Sequence, residues 1–520
     1  MYKSKYKLVF FFLFFLLFVK TDYRFVNSIG CCGDDYDYYA HAETIAIDFD
    51  FDYSNQIPEY SKFYFTNEEK VAPVGFSGSG ILAAPFLFIG SIFDKVFNTP
   101  NSIFNFKVML YSFSSIFYLV ISSILLTSSI KKIGRSVNRM QILLLISGSG
   151  VAYYALGRYS MTHVYEVFVN TLIILFSVNI LKGKTKDNIS FFLLPFSLIL
   201  GLLIKLSNFY IFIIPFFIKE ILNIKIKDIV LNIKNKLYFL FGFLLSMIFY
   251  IIINLKIYGK IIFNPGETYS QESRALDYIS SFTNISDSIM QILNTMRIVL
   301  FSQEFGILWF SPSVFIIFVY ILIFLYKKKY LPFLYLSIIF FFNIAIVNLW
   351  QSAGSSYGFR YLFSLIPIGI FIIFAIKFKY HSNLFKYYLI PFSIFGLFSI
   401  FIFESTEFVQ LATVDIVNSF GKEIRYVQPE YLSGVFKSVF IPDAYLKLFA
   451  TSFIGAIIFK LFILFFGVEQ FFVILGSFGL PTSNSDFLNL IEKLGTINIF
   501  QFLMFIILLY FTTVIISKKN

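Results

Sequence analysis

Apolar positions in this chain come in long blocks rather than at helical or alternating intervals. The first block, "LVFFFLFFLLFV", ends at Val19, and further runs lie at roughly 107–127, 140–157, 161–181, 237–254, 311–326, 331–349, 361–376, 387–403, 446–466 and 498–516. A run of that length with few charges predicts a helix that is apolar all round, as lipid requires. Taken together they are too many for one soluble core to cover. The pattern predicts an all-α polytopic membrane protein.

Basic linkers punctuate the blocks: "KKIGRSVNR" from 131, "KGKTK" from 182, "KEILNIKIKDIVLNIKNK" from 219, "KKK" at 327 and "KFKYHSNLFK" from 377. By the preference of Lys and Arg for the cytoplasmic side, these face inward. The loops at 20–80, 255–310, 350–360 and 404–445 then alternate to the outside. Lys3, Lys5 and Lys7 precede the first block, which reads as a retained anchor crossing outward, since no small-x-small cleavage pattern follows closely.

Three stretches refine this topology. "ISFFLLPFSLILGLLIKLSNFYIFIIPFFIKE" lies between two basic linkers and so crosses an even number of times; two short helices meeting outside near Lys205, Ser207 and Asn208 satisfy that parity. They also keep the Lys205 charge out of the hydrocarbon. "VAPVGFSGSGILAAPFLFIGSIF", with Pro73, Pro85 and several glycines, reads as interfacial helices in the first outer loop. "FGVEQFFVILGSFGLPTSNSD" fits half a crossing or an interfacial helix, so the total is about 12–14 spans.

Composition agrees with a bilayer: of 520 residues, 58% are hydrophobic and 14% charged. The net charge of +12 is distributed in the linkers, where topology accounts for it, and nucleic acid is not an expected partner. Cys31 and Cys32 are adjacent, which suits neither an ordinary disulfide nor a soft-ligand metal site; the stretch reads as plain loop. No internal repeat is evident.

The chemistry concentrates in loop 20–80, which holds eleven acids against four bases. Asp34, Asp35 and Asp37 alternate with the aromatic run Tyr36, Tyr38 and Tyr39, a combination suited to a sugar-binding wall. The stretch "GDDYDYYAHAETIAIDFDFDYSN" resembles the first outer loop of multi-spanning glycosyltransferases of the GT-C fold class, the relatives of protein O-mannosyltransferases and aminoarabinose transferases, whose loop starts Gly-Asp-Glu. Asp34 falls on the family Asp; Asp35 stands where the family has Glu. "SMTHVYEVFVN", "LFSQEFGILWFSPSVF" and "WQSAGSSYGFRYLFSLIP" resemble later landmarks in the same order, and the similarity extends over residues 1–376.

The resemblance implies a GT-C type bundle over residues 1–403, with 404–520 as a C-terminal outer loop and further spans without a recognised counterpart. It implies a sugar donor on a polyprenyl phosphate, and transfer on the extracytoplasmic side to a glycan, lipid or protein acceptor. A bacterial inner membrane is the expected location.

Such a reaction needs a base for the acceptor hydroxyl and cations for the departing phosphate. Asp34 is the candidate base, tuned by partial burial. Asp35 is placed to orient the acceptor or hold a divalent cation through oxygen ligands. Asp37 and Glu43 read as solvated acids. Arg360, at the outer mouth of a span and against the positive-inside preference, is the candidate phosphate grip; Lys205 is a second. His163 would donate a proton or hydrogen bond to substrate, and Tyr38 would line the sugar site. An O-antigen polymerase or ligase, or a flippase of lipid-linked glycans, is the rival reading. The transporter calls for ionisable residues on a midplane path, for which Lys205 and Lys460 are the sequence's main offers.

Overall fold

The computed structural model describes residues 3–18, 33–56, 64–67, 70–98, 105–183, 188–224, 233–263, 267–268, 293, 295–302, 306–350, 357–376, 381–405, 413–417, 423–427, 439–440, 453–477 and 499–517. Cys31 and Cys32 fall outside these residues, as do most of the 264–292 loop and the "SAGSS" run that precedes Tyr357.

The bundle is α-helical, as the block pattern predicts. Among the described residues, five stretches are long and apolar enough to cross a membrane: Gly78–Val96, Phe106–Lys132, His163–Lys182, Ile233–Tyr258 and Ser382–Ile400. Shorter apolar helices stand among them, including Asn188–Ile204, Pro312–Tyr326 and Phe502–Ile515. Two antiparallel hairpins are the strands among the described residues, Tyr64–Asn67 with Lys70–Pro73 and Thr413–Val417 with Glu423–Val427. One lies in the loop at 20–80 and the other in the loop at 404–445, small departures from the all-α expectation.

In chain order, α1 is Lys3–Phe18, α2 is Gly33–Glu43, α3 is Gly78–Val96 and α4 is Phe106–Lys132. They are followed by α5 (Arg139–Ile146), α6 (Ala152–Leu156), α7 (His163–Lys182), α8 (Asn188–Ile204), α9 (Ile214–Ile221) and α10 (Ile233–Tyr258). Next come α11 (Pro312–Tyr326), α12 (Tyr330–Trp350), α13 (Ile366–Ala375) and α14 (Ile390–Ser405). Last are α15 (Phe453–Phe466), α16 (Val468–Ser477) and α17 (Ile499–Ser517).

Side-chain contacts fix the helix directions. Ser114 of α4 bonds Tyr165 of α7 at 2.8 Å, and further along the same pair Lys132 bonds Asn179, so α4 and α7 run parallel. Asn179 donates to Ser190 of α8 while Val169 lies against Gly201, so α8 runs back. Asn170 of α7 donates to the Ser364 carbonyl at 2.6 Å, and Arg135, just past α4, reaches the Ala375 carbonyl at the end of α13. Hence the starts of α4 and α7, the end of α8 and the start of the 360s segment share one end of the bundle. The charge alternation groups them in the same way.

That grouping depends on how the polar backbone is satisfied in an apolar setting. In α4 the hydroxyls of Ser112, Ser115, Ser122, Ser123 and Thr127 donate back to carbonyls three or four residues earlier. The polar stripe therefore presents no unsatisfied donor to the core. Asp94, just before the end of α3, accepts the Phe106 and Lys107 amides at 2.8 and 2.9 Å and caps α4. Lys205 breaks the α8–α9 stretch: it is extended (φ −161°), and a 3₁₀ segment, Leu206–Ile213, follows. Asn208 donates to the Gly201 carbonyl at 3.2 Å, so the chain folds back at the lysine.

The segment from 71 to 93 differs from its sequence reading. Its first residues belong to the strand Lys70–Pro73, and from Gly78 it forms one helix, α3, with Pro85 inside, in place of more than one helix. Its start fits because Gly78 and Gly80 let two backbones approach; a Cβ on either would come within 2.4 Å of Ile204 or His41. At the other end of the chain, α17 packs on α1 and α4 through Phe10–Tyr510, Phe106–Phe500 and Phe113–Phe505 ring contacts.

Candidate active site

The acidic stretch that opens the first loop is helical. Asp34 and Asp35 occupy the first turn of α2, where the unpaired amides and the helix dipole favour negative charge. Helical spacing turns Asp35 to another face from Asp34, whereas Asp37, three residues on, stays on the Asp34 side of α2. Asp34 stays 38% exposed, whereas Asp35 and Asp37 are buried.

Asp34 meets Arg360: Oδ2 lies 3.6 Å from Nη1 across a sequence separation that spans most of the bundle. Arg360 opens a 3₁₀ turn, Arg360–Leu365, two residues after Gly358 with φ +61°. Its guanidinium lies 5.3 Å from the centroid of Tyr361, and the ammonium of Lys205 lies 4.2 Å from the centroid of the same ring. Two cations thus share one aromatic ring. Both keep partial exposure, 17% for the Arg360 side chain and 19% for Lys205.

Asp35 is fully buried, and its Oδ2 accepts from both Nε and Nη2 of Arg158, at 3.0 and 2.8 Å. A buried carboxylate gripped by two guanidinium donors is a structural anchor, so the expectation that Asp35 orients the acceptor or holds a cation gives way to an anchoring role. Among the described residues no group of three or more His, Cys, Asp and Glu gathers to bind a metal ion.

The solvated-acid expectation for Asp37 and Glu43 is also overturned. Asp37 accepts the backbone amides of Gly75 and Val74, and its Oδ2 has no hydrogen-bond partner. Burial, and then the neighbouring charge of Asp34, push its pKa up to about 7. Glu43 accepts from Lys107 at 2.7 Å and from the Tyr39 hydroxyl at 3.2 Å. These contacts tie the far end of α2 to the start of α4.

The three tyrosines do not form one wall. Tyr36 is exposed, but Tyr39 packs edge-on against Tyr111, and Tyr38 is buried with its ring against Gly75, where a Cβ would come within 2.7 Å. Tyr38 therefore holds α2 in place; it does not line an open sugar site. One turn along, His41 is buried with Nε2 2.7 Å from the Gly75 carbonyl and Nδ1 2.7 Å from the Tyr53 hydroxyl. A carbonyl only accepts, so Nε2 carries the proton and Nδ1 accepts from Tyr53. Burial lowers the His41 pKa to about 4 and keeps the ring neutral.

His163 lies below the surface, 2% exposed, with its ring edge-on to Tyr154 at 4.5 Å. Its Nδ1 is 3.3 Å from Glu166 Oε1, which also accepts from Thr162 Oγ1 at 2.7 Å. Glu166 Oε2 points toward Lys205, 3.9 Å away. His163 is thus enclosed by Tyr154, Phe363 and Glu166 and is not open to a substrate.

The structure brings Asp34, Arg360, Lys205 and His163 together at one end of the bundle, with Asp35 behind them. Sequence reasoning missed Arg158, Glu166 and Tyr361. The signal for Glu166 was present: an acid inside an apolar block is costly in lipid and marks a function. Arg158, between two blocks, carries no sequence signal that sets it apart from other loop residues. Chemically, the arrangement offers a half-exposed carboxylate beside two half-buried cations, with a closed ion pair behind. An anion can bind at the cations, next to a group able to accept a proton. No family model matches the chain, and no curated protein or solved structure matches it either.

Proposed function

We propose that the chain is a membrane glycosyltransferase of the GT-C fold class, with about 12–14 spans, that moves a sugar from a polyprenyl-phosphate donor to an acceptor hydroxyl on the extracytoplasmic side. The observation that carries this reading is the meeting of Asp34 and Arg360 at 3.6 Å, with Lys205 on the same aromatic ring as the arginine. A base and a two-cation anion site stand side by side, as one displacement at a sugar–phosphate bond requires.

In the reaction, the acceptor oxygen attacks the anomeric carbon as Asp34 takes the hydroxyl proton. The carbon–oxygen bond to phosphate breaks, its electron pair stays on the phosphate oxygen, and Arg360 and Lys205 stabilise that charge. A single displacement without an enzyme nucleophile inverts the anomeric centre. Asp35 does not touch substrate; bound to Arg158, it sets the angle at which α2 presents Asp34.

Transfer in membranes carrying Asp34→Asn tests the reading. The variant inserts normally, and the rate falls by about 10²–10⁴-fold, the usual weight of a positioned general base. Transfer at the normal rate would remove Asp34 from the base role. Arg360→Ala raises the donor KM and lowers turnover; unchanged values would make Arg360 a headgroup contact.

A further inference from the structure

The Lys205 ammonium stands over a buried acid that the reaction above does not use. Glu166 is 2% exposed and sits in the first turn of α7; Oε1 is engaged by Thr162 and faced by His163. Oε2 has no hydrogen-bond partner and lies 3.9 Å from the Lys205 ammonium. That separation is too long for a hydrogen bond and short enough for a strong charge interaction where water is excluded. Glu166 therefore attracts Lys205 without occupying its donors.

We propose that Glu166 is a positioning residue of the transfer site: its carboxylate holds the Lys205 ammonium over the Tyr361 ring beside Arg360, keeping both cations ready for one phosphate. The proposal rests on the transferase reading. The break at Lys205 makes such a tether necessary. The lysine leaves the helix in an extended conformation, and a long flexible side chain at such a position loses rotamer freedom when an anion orders it. A fixed charge 3.9 Å from the ammonium removes that cost before the donor arrives.

The test is a double-substitution cycle with Glu166→Gln and Lys205→Met in the full-length protein in detergent. It is read as the dissociation constant for undecaprenyl phosphate alone, with thermal melting as the folding control. Glutamine keeps the acceptor for Thr162 and removes only the charge. We expect Glu166→Gln to weaken binding about fivefold and Lys205→Met about tenfold, with the pair no weaker than Lys205→Met by itself. Glu166→Asp keeps the charge one methylene further away and falls between wild type and Glu166→Gln. It also carries the cycle if the glutamine variant does not fold. Multiplying effects in the double variant, or wild-type affinity in Glu166→Gln, overturn the positioning role while the transferase reading stands. A wild type that does not bind undecaprenyl phosphate overturns both.

Discussion

A carboxylate buried one helical turn from a second carboxylate holds its proton more tightly than it would in water, and Asp37 is in that position behind Asp34. Its pKa of about 7, against the ordinary 3.8, is a statement about stability. Between those values the folded protein binds a proton that the unfolded chain releases. The stabilisation is therefore complete below 3.8 and lost as pH rises through about 7, up to about 4 kcal/mol in total. Asp37→Asn, neutral at every pH, should gain thermal stability relative to wild type when melting in detergent is compared at pH 8 and pH 5. An equal difference at both would mean that Asp37 titrates normally. The Asp35–Arg158 pair makes a different prediction, because removing one partner strands the other charge in the core. Asp35→Asn should cost about 3–5 kcal/mol, while replacing both with Asn and Met recovers part of that loss. Scanning calorimetry of the two variants checks it. The sequence made Asp34 and Arg360 conspicuous because each breaks a local expectation, an acid in a resembling motif and a cation on the outer side. It could not show that Asp35 turns away from Asp34 or that Asp37, on the Asp34 side, is buried. That outcome depends on the helical phase of α2, which a stretch expected to be a loop does not reveal.

At the scale of elements, the apolar blocks and basic linkers were enough to find the long helices and the reversal at Lys205, since both follow from the cost of charge in lipid. The hairpins and the single helix α3 were not legible, because they depend on close backbone approaches. Gly150 illustrates the limit. In the sequence it is one of the glycines of "SGSG"; in the fold it has φ +105° in a π-helical turn, Ser147–Val151, and the Phe363 ring occupies the space of a Cβ at 2.4 Å. An L residue there is strained and also displaces a ring that lies against Tyr154. Gly150→Ala should lower stability by about 1–3 kcal/mol. Since Tyr154 packs on His163, it should also reduce transfer more than an equally destabilising change remote from this end. Melting temperature and transfer rate measured on the same preparation separate the two effects; a loss of stability with full specific activity would confine the role of the turn to folding.

Across the whole molecule, the ends of helices far apart in sequence must face the same compartment for the site to exist. The packing puts Asp34, Lys205, His163 and Arg360 at one end, while Lys132 and Asn179 meet toward the other. The basic linkers that follow α4, α7 and α11 belong to that other end, and anionic headgroups and the insertion machinery retain such clusters in the cytoplasm. Only the linkers set the direction of the bundle, so the direction can be tested apart from the chemistry. In a background with Cys31 and Cys32 replaced by Ser, Tyr36→Cys places a thiol at an exposed position on α2, and Lys327→Cys places one in the triple-lysine turn. A membrane-impermeant maleimide added to intact cells should label the first at once and the second only after lysis. The opposite pattern would turn Asp34 toward the cytoplasm. A donor presented on the outer leaflet could then not reach Arg360, and the extracytoplasmic reaction would be untenable even if both charged pairs were in place.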